Sequence, residues 1–156
     1  MSQDFFSHLQ KARAAIKAVE IGPTAQELAR APEIDLWLPV LHHLGAPCLW
    51  GQVRDHPILG GDDIITSPVV ALNIEEGWAR SCSRWYRLGR PFFRLRDAIA
   101  AELSEMHPAN LDLMFEFPGA YPIGDLDIAQ RLIADFVALV REQTCGQQDG
   151  CGSADR

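Results

Sequence analysis

The chain has 156 residues, of which 47% are hydrophobic and 22% charged, and its formal net charge at neutral pH is −7. This is the composition of an ordinary globular protein, and it excludes general disorder, collagen-like rods and coiled coils. No apolar stretch approaches the ~18 residues of a membrane-spanning helix, and the first residues lack a basic, apolar leader. We therefore expect a cytoplasmic protein that does not contact membranes.

Apolar residues recur at helical spacing near both ends of the chain. The first such segment covers residues 4–20. Thr24 and Glu27 then have the spacing of a capping box, which predicts the start of a second, short helix. Helical spacing returns over residues 92–106 and again over residues 125–141, where the apolar face is broad. This last helix is expected to lie either in the core or in a homodimer contact.

The middle of the chain has the pattern of β-strands. We predict strands over residues 48–54, 64–74 and 78–88, joined by short loops into an antiparallel meander. The preceding residues 34–41 read as a short helical or extended piece that packs on the core.

The predicted fold class is therefore α+β, with a small three-stranded antiparallel meander (about residues 48–89) flanked by N- and C-terminal helices. These elements form a single domain over residues 1–142. Residues 143–156 are polar and rich in glycine, and we expect them to be a flexible tail. Cys145 and Cys151 in this tail lack the spacing of a zinc knuckle.

Arginines are concentrated in one part of the chain. Six lie in the segment that runs from Arg80 to Arg96 inclusive, with no acidic residue among them, whereas residues 97–156 carry a net charge of −8. Two interpretations stay open. Either the guanidinium groups pair with the chain's own carboxylates, or they form an exposed patch for phosphate or an acidic partner.

Aromatic residues accompany these arginines along the third predicted strand. Alternation along a single strand gives one side the residues Trp78, Arg80, Cys82, Arg84 and Tyr86. Cationic and aromatic side chains on one surface are typical of single-strand nucleic-acid binding, although the same rings can instead pack under helices. The candidate binding residues are Trp78, Arg80, Arg84, Trp85, Tyr86, Arg87 and Arg90.

Histidines and serines in the middle of the chain allow two arrangements to be tested against known patterns, a metal site and a hydrolase triad. A metal site drawn from His43, His56 and Asp62 matches no known ligand spacing. Ser67 or Ser83 with His56 and an aspartate could imitate a hydrolase triad, but no Gly-x-Ser-x-Gly nucleophile elbow is present. We therefore expect no metal, no cofactor and no catalytic residue.

Four short motifs occur in order along the chain. They are His56-Pro57, Thr66-Ser67, Gly77-Trp78-Ala79-Arg80 and Ser83-Arg84-Trp85-Tyr86-Arg87-Leu88-Gly89. This pattern, within roughly residues 28–91, resembles a family of short bacterial proteins that carry a domain of unknown function. The resemblance implies no activity and transfers no catalytic residue.

These features predict a non-catalytic binding protein that acts through a surface on a protein or nucleoprotein partner. One alternative is an acidic inhibitor of a bacterial defence nuclease complex, in which the negatively charged C-terminal part occupies a nucleic-acid channel. Another alternative is nucleic-acid binding by the arginine- and aromatic-bearing strand. A second copy of the chain, bound through residues 125–141, is a further candidate partner.

Overall fold

The structure is a computed structural model that describes residues 3–54, 63–106 and 119–145. Its helices are α1 (Gln3–Ile21), α2 (Ala25–Arg30), α3 (Phe92–Met106) and α4 (Leu126–Cys145). Its strands are β1 (Glu33–His42), β2 (Pro47–Arg54), β3 (Asp63–Ile65), β4 (Val69–Asn73), β5 (Trp78–Ser81), β6 (Trp85–Leu88) and β7 (Ala120–Pro122). Among these residues no helix combines the length and the apolar character needed to cross a membrane.

The described strands form one mixed sheet with β1 near its centre. Strand β2 pairs antiparallel with one edge of β1. The other edge is shared, because β6 pairs parallel with the first half of β1 and β7 pairs antiparallel with the second half. The strand order is β3-β2-β1-β6-β5-β4, with β7 also beside β1. The α+β class is correct, but the prediction of a small three-stranded meander is wrong: the sheet has seven strands and contains parallel pairing among the described residues.

The predicted second strand, residues 64–74, is two strands at opposite ends of the sheet. Strand β3 pairs with β2, and β4 pairs with β5. Pro68 lies between them and has no amide hydrogen to continue a ladder, while its carbonyl accepts a hydrogen bond from the Cys82 amide at 2.8 Å. Thr66 fixes the other side of the break, because its hydroxyl accepts from the Leu49 amide of β2 at 3.0 Å.

The predicted third strand, residues 78–88, is a hairpin made of β5 and β6. The turn depends on Ser81, whose hydroxyl oxygen accepts hydrogen bonds from the amides of Ser83 and Arg84, both at 3.2 Å. The serine side chain thus closes the turn by accepting two backbone amides, and the turn contains no glycine or asparagine.

Helices cover both faces of the sheet. On one face, Ile133 of α4 packs on a buried cluster that includes Ile34, Trp37, Leu49, Val53, Leu72 and Tyr86. On the other face, Phe92 at the start of α3 packs on the C-terminal half of β1. Helices α1 and α2 cover Trp78 and Trp85 on that same face, and α1 also packs against α4.

A charged pair joins β1 to the segment that follows β6. Asp35 is 5% exposed and accepts hydrogen bonds from Nη2 of Arg90 at 2.6 Å and from the Arg90 amide at 2.8 Å. These hydrogen bonds lower the pKa of Asp35 to about 2. Gly89 permits the close approach, since a Cβ atom at this position would lie 2.8 Å from Oδ1 of Asp35.

Replacing Asp35 with asparagine tests this pair. We expect the free energy of unfolding at neutral pH to fall by about 1–2 kcal/mol, because a hydrogen-bonded charge is lost while Arg90 stays largely hydrated. The folded-state pKa of about 2 lies below the ordinary value of 3.8. The contribution of ionised Asp35 to the free energy of unfolding is therefore complete above about pH 4 and is lost as the pH falls toward 2. Chemical denaturation near pH 7 and near pH 2.5 measures both effects.

Asp97→Asn is the matched control. The Arg96–Asp97 pair is exposed on both sides and its atoms are 3.7 Å apart, and such pairs contribute little to stability. We expect this variant to resemble the wild-type protein at both pH values. The contribution of the Asp35–Arg90 pair is contradicted if Asp35→Asn destabilises the protein equally near pH 2.5. It is also contradicted if Asp97→Asn destabilises the protein as much as Asp35→Asn does.

Candidate functional site

A cavity of about 590 Å³ lies between α1, α4 and three turns of the sheet. The turns are the β1–β2 connection, the break between β3 and β4, and the turn between β5 and β6. The apolar side chains that line it include Leu9, Ala12, Leu44, Phe136, Leu139 and Val140. Pockets for small molecules have volumes of roughly 300–1,000 Å³ and mostly apolar walls. We call this site the apolar cavity.

Two of these turns are tied together in the cavity wall. The Ser67 hydroxyl donates to Oγ of Ser83 at 3.0 Å, and the Ser83 amide donates to Oγ of Ser67 at 3.2 Å. Both serines line the cavity. The two candidate serines of the hydrolase arrangement are thus in contact, whereas His56 lies outside the described residues. Their hydroxyls hold each other and the backbone, which is a structural arrangement.

Two thiols also line the apolar cavity. Burial raises the pKa of Cys48 to about 12 and the pKa of Cys82 to about 11. A Cys82 thiolate would raise the pKa of Cys48 further, whereas the positive charge of Arg80 lowers the pKa of Cys82 and offsets part of the effect of burial. At neutral pH both groups are protonated, and a protonated thiol is a small apolar group rather than a nucleophile.

Polar groups are few and lie among the same segments. His8 and Lys11 are exposed on α1, and His42 is half-buried at the end of β1. The ring of His42 contacts the ring of His43, with centroids 3.9 Å apart, and Nδ1 of His42 accepts from the Leu44 amide at 3.4 Å. His42 thus caps the β1–β2 connection at the cavity.

The metal arrangement considered for His43, His56 and Asp62 lies mostly outside the described residues. His43 is exposed in the β1–β2 connection, while His56 and Asp62 lie outside the described residues. Within the described residues no group of three histidine, cysteine or acidic side chains is placed to hold a metal ion.

The structure does not bring the seven predicted binding residues onto one surface. The predicted alternation is wrong because the chain reverses between β5 and β6. In the hairpin, Trp78 pairs with Arg87 and Arg80 pairs with Trp85, so these four side chains share one face. Tyr86 points to the opposite face and belongs to the buried cluster under α4. The remaining two are outside the strands: Arg84 lies in the turn and Arg90 follows β6.

The shared face of the hairpin is partly covered. The rings of Trp78 and Trp85 meet edge to face with centroids 5.3 Å apart, and both are 7% exposed. The guanidinium of Arg80 lies 5.2 Å from the Trp85 ring centre. Its Nε atom is buried with no hydrogen-bond partner among the described residues. Burial lowers the pKa of Arg80, and the carboxylate of Glu27 opposes that change.

Internal partners hold two further arginines of this segment. Nε of Arg87 donates to the carbonyl of Ala31 at 3.0 Å, and Arg90 binds Asp35 as described above. Arg94 is exposed on α3. Contacts within the chain therefore account for Arg87 and Arg90. Exposed arginines such as Arg94 still allow a patch for phosphate or an acidic partner.

The apolar cavity was missed by sequence reasoning. Its lining comes from five segments that are distant in the sequence, and no local pattern joins them. The only signals were the Thr66-Ser67 pair and Ser83, which occur in the motifs of the family resemblance and meet in the cavity wall.

Comparison with known proteins places the chain in a family. A family model described as a family of unknown function (DUF6634) matches residues 3–155. The match extends well beyond residues 28–91, which carry the resemblance recognised in the sequence. Comparison with curated proteins and with solved structures finds no significant match. The chain belongs to this family of unknown function, DUF6634.

Proposed function

We propose that this protein is a non-catalytic binding protein and that its ligand is an apolar small molecule held in the apolar cavity. The observation that carries the proposal is the cavity itself, which has a volume of about 590 Å³ and whose lining surface is mostly apolar. Removing apolar surface from water gains roughly 25 cal/mol per Å², so such a wall favours an apolar occupant. The neutral thiols of Cys48 and Cys82 fit binding better than nucleophilic chemistry.

The cavity also has a path to solvent. Leu44 and Leu139 both belong to its lining, and they are 80% and 58% exposed. Large exposed apolar side chains beside a cavity are typical of a binding site, whereas single exposed leucines elsewhere need no explanation. An apolar molecule can therefore enter past these two side chains.

Replacing Leu139 with glutamine tests the proposal. N-Phenyl-1-naphthylamine is a neutral probe whose fluorescence rises in apolar surroundings. We expect the wild-type protein to bind it saturably and Leu139→Gln to bind it about three- to tenfold more weakly, because apolar contact area is lost. Fluorescence titration measures both dissociation constants.

Ile128→Gln is the matched control, since Ile128 lies on the same helix, is 43% exposed and is not part of the cavity lining. It is expected to leave the dissociation constant unchanged. Absence of saturable binding to the wild-type protein, or equal weakening by both substitutions, refutes the proposal.

A second candidate function is recognition of an acidic or phosphate-bearing partner, a protein or a nucleoprotein, by arginines on the sheet. The specific observation is the register, which aligns Arg54, Glu33 and Arg87 across three neighbouring strands on one face. Arg90 lies near this row, and its side chain is 70% exposed although it binds Asp35. Three guanidinium groups against two carboxylates leave an excess of positive charge for a partner.

Mobility-shift assays with single- and double-stranded oligonucleotides at low salt test direct nucleic-acid binding. If the face binds nucleic acid, Arg54→Ala and Arg87→Ala weaken the shift, because each removes a phosphate-binding cation of this row. Arg131→Ala is the control, since Arg131 is exposed on α4, which covers the opposite face. No shift with the wild-type protein excludes direct nucleic-acid binding, and an equal effect of Arg131→Ala excludes this face as its site.

The other partners proposed from the sequence stay predictions. Blocking of a nuclease channel by the acidic C-terminal part involves residues 97–156, and some of these lie outside the described residues. A homodimer through residues 125–141 needs apolar surface on α4 that is not already buried against the rest of the same chain. The apolar face of α4 packs on the sheet and on α1, and its exposed large apolar side chains are Ile128 and Leu139 among the described residues.

A further inference from the structure

We propose that the ligand of the apolar cavity is an aliphatic carboxylate, with its hydrocarbon chain inside the cavity and its carboxylate at the rim beside Lys11. This inference rests on the proposed function and adds to it the chemical class of the ligand. It is carried by the charge of the lining residues, by the hydrogen-bonding capacity of the rim and by the apolar interior.

The charge of the lining favours an anion. The chain contains 21 acidic residues against 14 basic ones, yet no acidic side chain belongs to the described lining of the cavity. The lining does contain the ammonium group of Lys11 and the imidazoles of His8 and His42. An anion that enters therefore meets an opposite charge and no nearby carboxylate from the described wall, although the protein as a whole is negative.

The hydroxyl groups of the wall provide a further donor. The hydroxyls of Ser67 and Ser83 share one hydrogen bond, and the Ser83 amide donates to the Ser67 oxygen. These contacts use one of the two hydroxyl protons, so the other is available to a ligand. A carboxylate has two acceptor oxygens and can bind an ammonium and a hydroxyl together, and such charge-assisted hydrogen bonds are the stronger kind.

The interior of the cavity favours a hydrocarbon. Leu9, Ala12, Phe136 and Val140 offer no hydrogen-bonding side-chain groups, and the thiols of the wall are neutral. A sugar or a nucleoside placed here would leave several polar groups without partners, and each such group costs free energy on burial. A saturated chain with a single charged end has no such groups inside the cavity.

Competition with a neutral probe separates the contribution of the ligand's carboxylate to binding from that of its hydrocarbon chain. Decanoate and decan-1-ol have chains of the same length, and each is titrated against bound N-phenyl-1-naphthylamine. We expect Lys11→Gln to weaken decanoate about three- to fivefold, the usual effect of a solvent-exposed ion pair, and to leave decan-1-ol unchanged. Raising the salt concentration is expected to weaken decanoate in the wild-type protein in the same direction.

Lys17→Gln is the control, because Lys17 is also exposed on α1 but is not part of the cavity lining. It is expected to leave both ligands unchanged. If the probe binds but Lys11→Gln weakens both ligands equally, or weakens neither, the carboxylate inference is overturned while the proposed function stands. If the probe does not bind at all, both fall.

Discussion

The fold depends on one constraint, which is that β1 must find backbone partners along both edges. Most of its ten residues are buried, and buried amide and carbonyl groups must be paired. No single described strand fills the second edge: β6 pairs with its first half and β7 with its second. Between these two halves, Leu36 has a φ of 50°. The next residue, Trp37, donates its amide to the Arg90 carbonyl at 3.1 Å and its indole N–H to the Gly89 carbonyl, so this junction between the halves is also paired. The Asp35–Arg90 pair holds this junction closed.

The position of the apolar cavity follows from that arrangement. β1 ends at His42 beside the cavity, and the turn into β2 supplies part of the wall. Strand β2 then anchors the break after β3, through the hydrogen bond between Leu49 and Thr66. The break in turn binds the β5–β6 turn through Ser67 and Ser83. The Leu49–Thr66 and Ser67–Ser83 hydrogen bonds thus hold the three turns in place opposite α1 and α4. The space between the turns and the helices is therefore already formed before a ligand binds.

The helices could be predicted from the sequence because their signals are local. The capping box forms as expected, with the Thr24 amide donating to Glu27 at 2.8 Å. Strand β1 could not be predicted in this way. A strand that is buried on both faces does not alternate between apolar and polar residues, and Pro39 within it is unusual for a central strand. The hairpin turn was missed because it contains no glycine or asparagine and is closed instead by the Ser81 hydroxyl. The cavity depends on long-range pairing, which no local pattern encodes.

Methyl-resolved NMR during titration with N-phenyl-1-naphthylamine is the most direct test that the apolar cavity is a binding site. Ring currents from the bound probe are expected to shift the methyl signals of Leu9, Leu139 and Val140, which line the cavity. The signals of Val19 and Leu126, which lie outside its lining, are expected to stay in place. Shifts at Val19 and Leu126 with none at the cavity, or no shifts at all, would contradict the account.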